Sequence, residues 1–278
     1  MSDVEKADAA AAAEDVSLSD STTAHTPAAP PPQEAEAPAF QYEFAGHCPC
    51  CDTDQLFRAY SEWFRDSLVC WNCMSTVRER AVALVMNETL PNWRHLAIHQ
   101  SSPSERGISL RLRECAPNYI SSQYYPDQPL GENIGGYRNE DLENQTFGDC
   151  VFDLVVTLDV MEHVFHPEKA YSEVYRTLKP GGYYIHTFPI QKWRAEAAAC
   201  TARLTPDGQV EHLIETPEYH GNPISDKGSL VTFYYGYDIS KQIAEWAPFD
   251  VRIIRFWDQY HGVIGEYTDV TVCRKPLI

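Results

Sequence analysis

Two pairs of thiols stand out first. Cys48/Cys51 and Cys70/Cys73 each form a Cys-x-x-Cys turn, with 18 residues between Cys51 and Cys70. Zn2+ favours four soft ligands in a tetrahedron, and two such turns supply four thiolates. Four protein ligands close the metal's shell, so the expected role is structural. The run HCPCC leaves Cys50 as an alternative to a neighbour. This pattern argues for metal in a reducing compartment, not for disulfides. Cys115, Cys150, Cys200 and Cys273 lie in apolar or strand-like segments and read as core residues.

Two further clusters could do chemistry. Asp159, Glu162 and His163 are spaced i, i+3 and i+4, which puts three potential cation ligands on one face if a helix begins there. The competing and favoured reading is a helix-start histidine that is packed or capped in place. His220 lies in ETPEYHGNP, where it could take a proton from a hydroxyl, with Glu218, Tyr219 or Tyr237 shaping the site. A solvated loop histidine is the plainer alternative.

These residues need elements to position them. Residues 1–40 carry PAAPPP, a five-alanine run, eight acids and only Lys6, and read as a disordered tail. The cysteine module spans 41–76. Val77–Leu90 has apolar residues at helical spacing and stops at Pro91. Strands are expected at Leu96–His99, Tyr119–Tyr124, near Tyr137, Phe152–Leu158 and Tyr183–Phe188. The clearest helix runs from Pro167 to Lys179 and is stopped by Pro180-Gly181-Gly182. A helix capped by Asp238 precedes a closing hairpin of Val251–Phe256 and Tyr267–Cys273. Strands alternating with helices predict an α/β domain over 77–278, with a polar insertion at 190–237.

Composition narrows the partners. Forty acids against 22 bases give a formal charge of −18, which disfavours nucleic acid, and no apolar run is long enough for a membrane helix. Nothing reads as a signal peptide, so the cytoplasm is the expected compartment. A small-molecule, saccharide or peptide acceptor is left open, as is the oligomeric state.

The run FDLVVTLDVMEHV, the helix after it, LKPGG and the strand ending at Phe188-Pro189 resemble the fourth-to-fifth-strand region of class I, Rossmann-like S-adenosylmethionine-dependent methyltransferases. The resemblance extends over about Leu96 to Arg274. It implies a seven-stranded, mostly parallel sheet with helices on both faces, its last strand antiparallel, and S-adenosylmethionine across the carboxyl ends of the first half. Ligands of open α/β sheets bind at such ends, near the topological switch point.

The resemblance also implies site residues. Asp141 and Leu142 fall where the adenine is held, and Asp159 and Val160 where the methionine portion lies. The first loop, LAIHQSSPSERG, has Gln100 in place of an acid and Ser102 and Ser104 in place of glycines, with Ser101 between. Some zinc-module methyltransferases have a similar Ser-Pro loop. The second strand ends in Gln123 in place of a ribose-binding acid, and its amide can still bond two hydroxyls. In some ubiquinone-pathway O-methyltransferases an acid-x-x-Glu-His run like that at Asp159–His163 binds a divalent cation.

The activity this implies is O-methylation of a small molecule or saccharide, with His220 or His163 as candidate catalytic residues and N-methylation open. The alternative is a methyltransferase-like scaffold that has lost its cofactor. A nicotinamide-dependent oxidoreductase is disfavoured, because no Gly-x-Gly-x-x-Gly follows a strand.

Overall fold

A computed structural model describes residues 39–192, 199–222 and 224–277. All but the last two residues of the expected tail lie outside these. Pro38–Ile278 forms one compact unit, so the cysteine module and the α/β domain fold together.

In the module, β1 (Tyr42–Cys48) pairs antiparallel with β2 (Thr53–Ala59). A single-turn helix α1 (Phe64–Ser67) then leads to β3 (Val69–Cys70) on the far side of β2. Gly46 is required where β1 meets the C-terminal segment, since a Cβ there would lie 2.1 Å from the Tyr260 carbonyl oxygen. Helix α2 (Val77–Thr89) starts on a capping box, in which Thr76 and Glu79 satisfy each other's backbone amides. Arg80, fully buried on α2, donates to the carbonyls of Ser75, Leu68 (2.9 Å) and Gly262 (2.8 Å). One satisfied guanidinium thus ties module, helix and C-terminal segment together.

The chain next lays down β4 (Ile98–Ser101), α3 (Gly107–Cys115), β5 (Tyr119–Gln123), the short β6 (Asn133–Ile134), β7 (Tyr137–Asn139) and β8 (Phe152–Leu158). Helix α4 (Pro167–Thr177), with Pro167 at its start, leads to β9 (Leu178–Thr187). The helix ends two residues early, because Leu178 is already paired with Phe152 on the sheet. Among the described residues six short strands follow, from β10 (Ala199–Cys200) to β15 (Phe233–Tyr234), and then come α5 (Ile239–Trp246), β16 (Asp250–Arg255) and β17 (Asp269–Arg274). Asp238 occupies the position before α5 but does not cap it, and instead accepts from Gln242.

The main sheet runs β16-β17-β9-β8-β4-β5-β7-β6. The pairs β7-β5, β5-β4, β4-β8 and β8-β9 are parallel, whereas β17 is antiparallel to both neighbours. All seven expected strands are present, and the eighth, β6, is a two-residue hairpin arm on β7. From β4 the chain moves outward through β5 and β7, then returns to the other side of β4 as β8. The C-terminal ends of β4 and β8 therefore form the switch point.

Period-2 alternation divides the sheet's faces. Leu154, Val156 and Ile185 join the core beneath α2 and α3, while Val155 and Tyr184 join that beneath α4 and α5. Of the four cysteines expected in the core, Cys273 is buried, Cys115 and Cys200 are half-buried, and Cys150 is exposed in the turn before β8. Among the described residues, no helix is long and apolar enough to cross a membrane.

Two histidines are sealed in the sheet. His99 bonds Ser122 Oγ at 2.8 Å, and His186 accepts from or donates to Tyr171 OH at 2.9 Å. Burial pushes each imidazole down to about 3. Unfolded histidine takes a proton near pH 6.5 and these two do not, so stability falls as the pH drops below that value and continues to fall toward 3. Between pH 7.5 and 5.5 the two should cost about 2–3 kcal/mol of unfolding free energy. Urea denaturation at the two pH values checks this, and His186→Phe should halve the difference. An unchanged difference would show that His186 is not held neutral.

Candidate active site

A cavity of about 1380 Å³ opens at the switch point, bounded by the ends of β4, β5 and β8, the cysteine module and the insertion. Typical ligand pockets span roughly 300–1,000 Å³, so this one has room for a cofactor and an acceptor side by side.

The rim is built from strained backbone. Ser102 and Asp159, the residues just past β4 and β8, both have φ of 53°. Left-handed non-glycine residues persist only where their surroundings hold them, and they gather at functional sites. Here the amide of Ser102 bonds the Ser122 carbonyl at 2.8 Å, and that of Asp159 bonds Thr187 at 2.9 Å.

Ser101, Ser102, Gln123, Asp141, Leu142, Asp159 and Val160 all line the cavity. Asp141 Oδ1 accepts from the Glu143 amide at 2.8 Å, and burial raises its carboxyl. Gln100 and Ser104 do not line it. Gln100 is fully buried, donates to Ser109 Oγ (2.8 Å) and accepts from Tyr119 OH (2.8 Å). Ser104 Oγ donates to Glu79 Oε1 at 2.9 Å. Both brace the loop from behind.

The loop's one remaining glycine explains its course. The Gly107 amide donates to the Cys73 carbonyl at 3.0 Å, and a Cβ on Gly107, at φ +52°, would lie 2.7 Å from Glu79 Oε1. The loop after β4 thus rests on the cysteine module and the first turn of α2.

The carboxylate of Asp159 is already engaged. Arg65 of α1 donates to Asp159 and to the Tyr267 carbonyl (3.1 Å), and Arg78 of α2 lies 3.0 Å from Asp159 and 2.6 Å from Asp66. Burial alone would raise the Asp159 carboxyl, but the two guanidiniums outweigh it and hold it below its ordinary value. Asp159 therefore does not join Glu162 and His163. The helical face expected for those three is also absent, because Met161–His163 is a single 3-10 turn and α4 begins at Pro167.

Elsewhere in the cavity lining, Glu162 and His163 meet His220 of β13 (Tyr219–Asn222), a strand of the insertion. His220 is not a solvated loop residue. Its Nε2 bonds Glu218 Oε1 at 3.0 Å, and its Nδ1 lies 3.7 Å from Glu162 Oε1. The imidazole is raised first by Glu162, and also by Glu218, against the opposing effect of burial. Tyr234 OH donates to Glu218 Oε2 at 2.6 Å. Tyr219 is exposed, and Tyr237 instead meets Arg255 outside the cavity.

In the module, Cys48 and Cys73 Sγ are 3.7 Å apart and Cys51 and Cys70 Sγ 3.8 Å, and all four sulfurs lie within 4.8 Å of one another. A tetrahedral ion with bonds of about 2.3 Å separates its sulfurs by about 3.8 Å, so the four can hold one such ion. Cys50 is outside the set and buried, and burial raises its thiol.

An open, mostly parallel sheet with a cavity at its switch point is the α/β arrangement in which ligands are bound at the strand ends. Residues 116–186, from the end of α3 to β9, match the model of a family described as a methyltransferase domain. With the strand order above, the protein has the fold of a class I, Rossmann-like methyltransferase. None of the curated proteins matches the sequence. Solved structures similar to it include S-adenosylmethionine-dependent methyltransferases from Mesorhizobium loti (12% identity, 70% of this chain, 98% of that one, TM-score 0.45) and Methanosarcina mazei (15%, 68%, 98%, 0.40).

Arg65, Arg78 and Glu79 were not anticipated from sequence. The Thr76-x-x-Glu79 capping signature was available for Glu79. The two arginines act across the fold and leave no local signal. Asp159→Asn should cost about 3 kcal/mol, since it leaves Arg65 and Arg78 short of a buried partner. The paired carboxylate stabilises the fold fully above its unfolded value near 4, and this contribution is lost as the pH falls below that. The difference between wild type and variant in urea unfolding should therefore be full at pH 7 and shrink below pH 4. A loss under about 0.5 kcal/mol at pH 7 would show the pair to be idle.

Proposed function

We propose that the protein is an S-adenosylmethionine-dependent methyltransferase acting on a hydroxyl of a small molecule or saccharide. The observation that carries this reading is the open cavity at the switch point, bounded by left-handed Ser102 and Asp159, in a chain whose residues 116–186 match a methyltransferase domain. When bound, S-adenosylmethionine supplies a methyl group on an electrophilic sulfonium.

The residues present fit that group. The Asp141 carboxylate can accept from an adenine amine beside apolar Leu142, and the Gln123 amide can meet ribose hydroxyls. Arg65 and Arg78 border the cavity and suit the carboxylate of an amino-acid moiety. The backbone at Ser101 and Ser102 gives the close approach for which related loops use glycine. The wall of His163, His220 and Glu218 faces this set across the cavity, where an acceptor would be held in line with the methyl carbon.

We also propose that the four cysteines hold one structural Zn2+. Such an ion supplies roughly 10–16 kcal/mol in small zinc-folded peptides, ample to fix a segment with little core of its own.

Calorimetric titration with S-adenosylmethionine should show one site, and saturating cofactor at 100 times Kd should add about 2.7 kcal/mol of stability. Asp141→Asn should weaken binding by about tenfold or more, the worth of one charge-assisted hydrogen bond. Absence of both heat and stabilisation would favour a cofactor-free scaffold. For the module, Cys70→Ser should lose one zinc equivalent by elemental analysis and unfold at lower temperature. An unchanged metal content would remove the four-cysteine assignment.

A further inference from the structure

We infer that Glu162, His163 and His220 form a second metal site, for one divalent transition-metal cation, in the wall of the cavity. Three observations carry it.

The first is the carboxylate. Glu162 is 2% exposed, and neither of its side-chain oxygens has a hydrogen-bond partner. An ionised carboxylate removed from water without a partner is costly, and a cation bound to it removes that cost.

The second is spacing. His220 Nδ1 lies 3.7 Å and His163 Nε2 3.9 Å from the same oxygen, Glu162 Oε1. These contacts are too long for hydrogen bonds. Neighbouring ligands on one ion with bonds of about 2.0–2.2 Å stand about 3.0–3.5 Å apart, so a contraction of a few tenths of an ångström brings each histidine to ligand distance from the carboxylate, and all three donor atoms already lie within 4.8 Å of one another.

The third is the far side of each ring. His163 Nδ1 lies 2.8 Å from the Leu230 carbonyl, which can only accept, so in the neutral ring the proton sits on Nδ1 and Nε2, 3.9 Å from Glu162, is left to bind a cation. His220 Nε2 lies 3.0 Å from Glu218, so in the neutral ring the proton sits on Nε2 and leaves Nδ1, 3.7 Å from Glu162, to bind a cation. Metal-ligating histidines are oriented in this way, by a carbonyl or carboxylate on the opposite nitrogen. Tyr234, donating to Glu218, extends the support by one more bond.

Two imidazoles and one carboxylate suit a first-row transition metal better than Mg2+ or Ca2+, which favour all-oxygen shells. Three protein ligands leave positions open toward the cavity for an oxygen donor. Water can fill them, or a hydroxyl of the acceptor, and the latter rests on the reading of the cavity given above. Because Glu162 and His163 follow β8 while His220 comes from the insertion, the ion would also join the insertion to the sheet.

The test is a Co2+ titration of the full chain followed by visible absorption. Thiolate coordination at the cysteines gives intense near-ultraviolet charge transfer, whereas a nitrogen and oxygen site gives only weak d–d bands. The expected result is one Co2+ equivalent with weak bands, in addition to any thiolate signal. His220→Ala, on a half-exposed strand, should weaken it by more than 100-fold and leave the thiolate signal unchanged. Glu218→Gln, which touches no metal, should weaken it by 10–100-fold. Cys70→Ser should do the reverse, losing only the thiolate signal. Absence of the weak-band equivalent in the wild type, or its retention in His220→Ala, would overturn the inference whether or not S-adenosylmethionine binds.

Discussion

The contact between two guanidiniums and one carboxylate organises this molecule. Asp159 ends the fourth strand of the parallel order in a left-handed conformation, and Arg65 and Arg78 reach it from the cysteine module and from α2. A buried carboxylate beside one arginine would be a local ion pair. Beside two, from elements separated from it by more than 80 residues of chain, it fixes where the module sits relative to the sheet. The Arg65 bond to the Tyr267 carbonyl extends the same link to the segment before β17.

Seen from this link, the unusual first loop has a physical explanation. Glycines in such loops let backbone and ligand approach closely without a supporting structure. Here Ser104, Arg106 and Gly107 rest on Glu79 and the Cys73 carbonyl, so the path of the loop is set by contacts behind it. Glu79 serves twice, capping α2 through Thr76 and receiving Ser104. The module therefore touches the cavity through the loop and the Asp159 link, so an ion held by its four cysteines would act well beyond the module itself.

The sheet was legible because strand and helix periods depend on neighbours in sequence. Phe152–Leu158 stands where it was expected, the end of α4 is misplaced by two residues and the start of β9 by five, and the closing hairpin lies within two residues of its expected bounds. The thiol quartet was legible because its geometry is encoded in two short turns. Side chains whose role arises from tertiary contact were not. Gln100 was expected at the cofactor by its place at a strand end, but the pleat points it inward to Ser109 and Tyr119. Arg65 and Arg78 carry no local signal, and their role arises only where the fold brings Asp159 to them.

The spacing of Asp159, Glu162 and His163 illustrates the same limit. Their i, i+3, i+4 pattern assumes a helix that would begin at Asp159, yet the chain leaves β8 in a left-handed turn and takes one 3-10 turn before α4. That detour points Asp159 toward the arginines and turns Glu162 and His163 the other way, toward the insertion. There the third partner is His220, 57 positions beyond His163. One strained residue thus divides a run of five into two sites of different character: a carboxylate neutralised by two arginines that holds the architecture together, and one without a hydrogen bond that lies beside two histidines in the cavity wall.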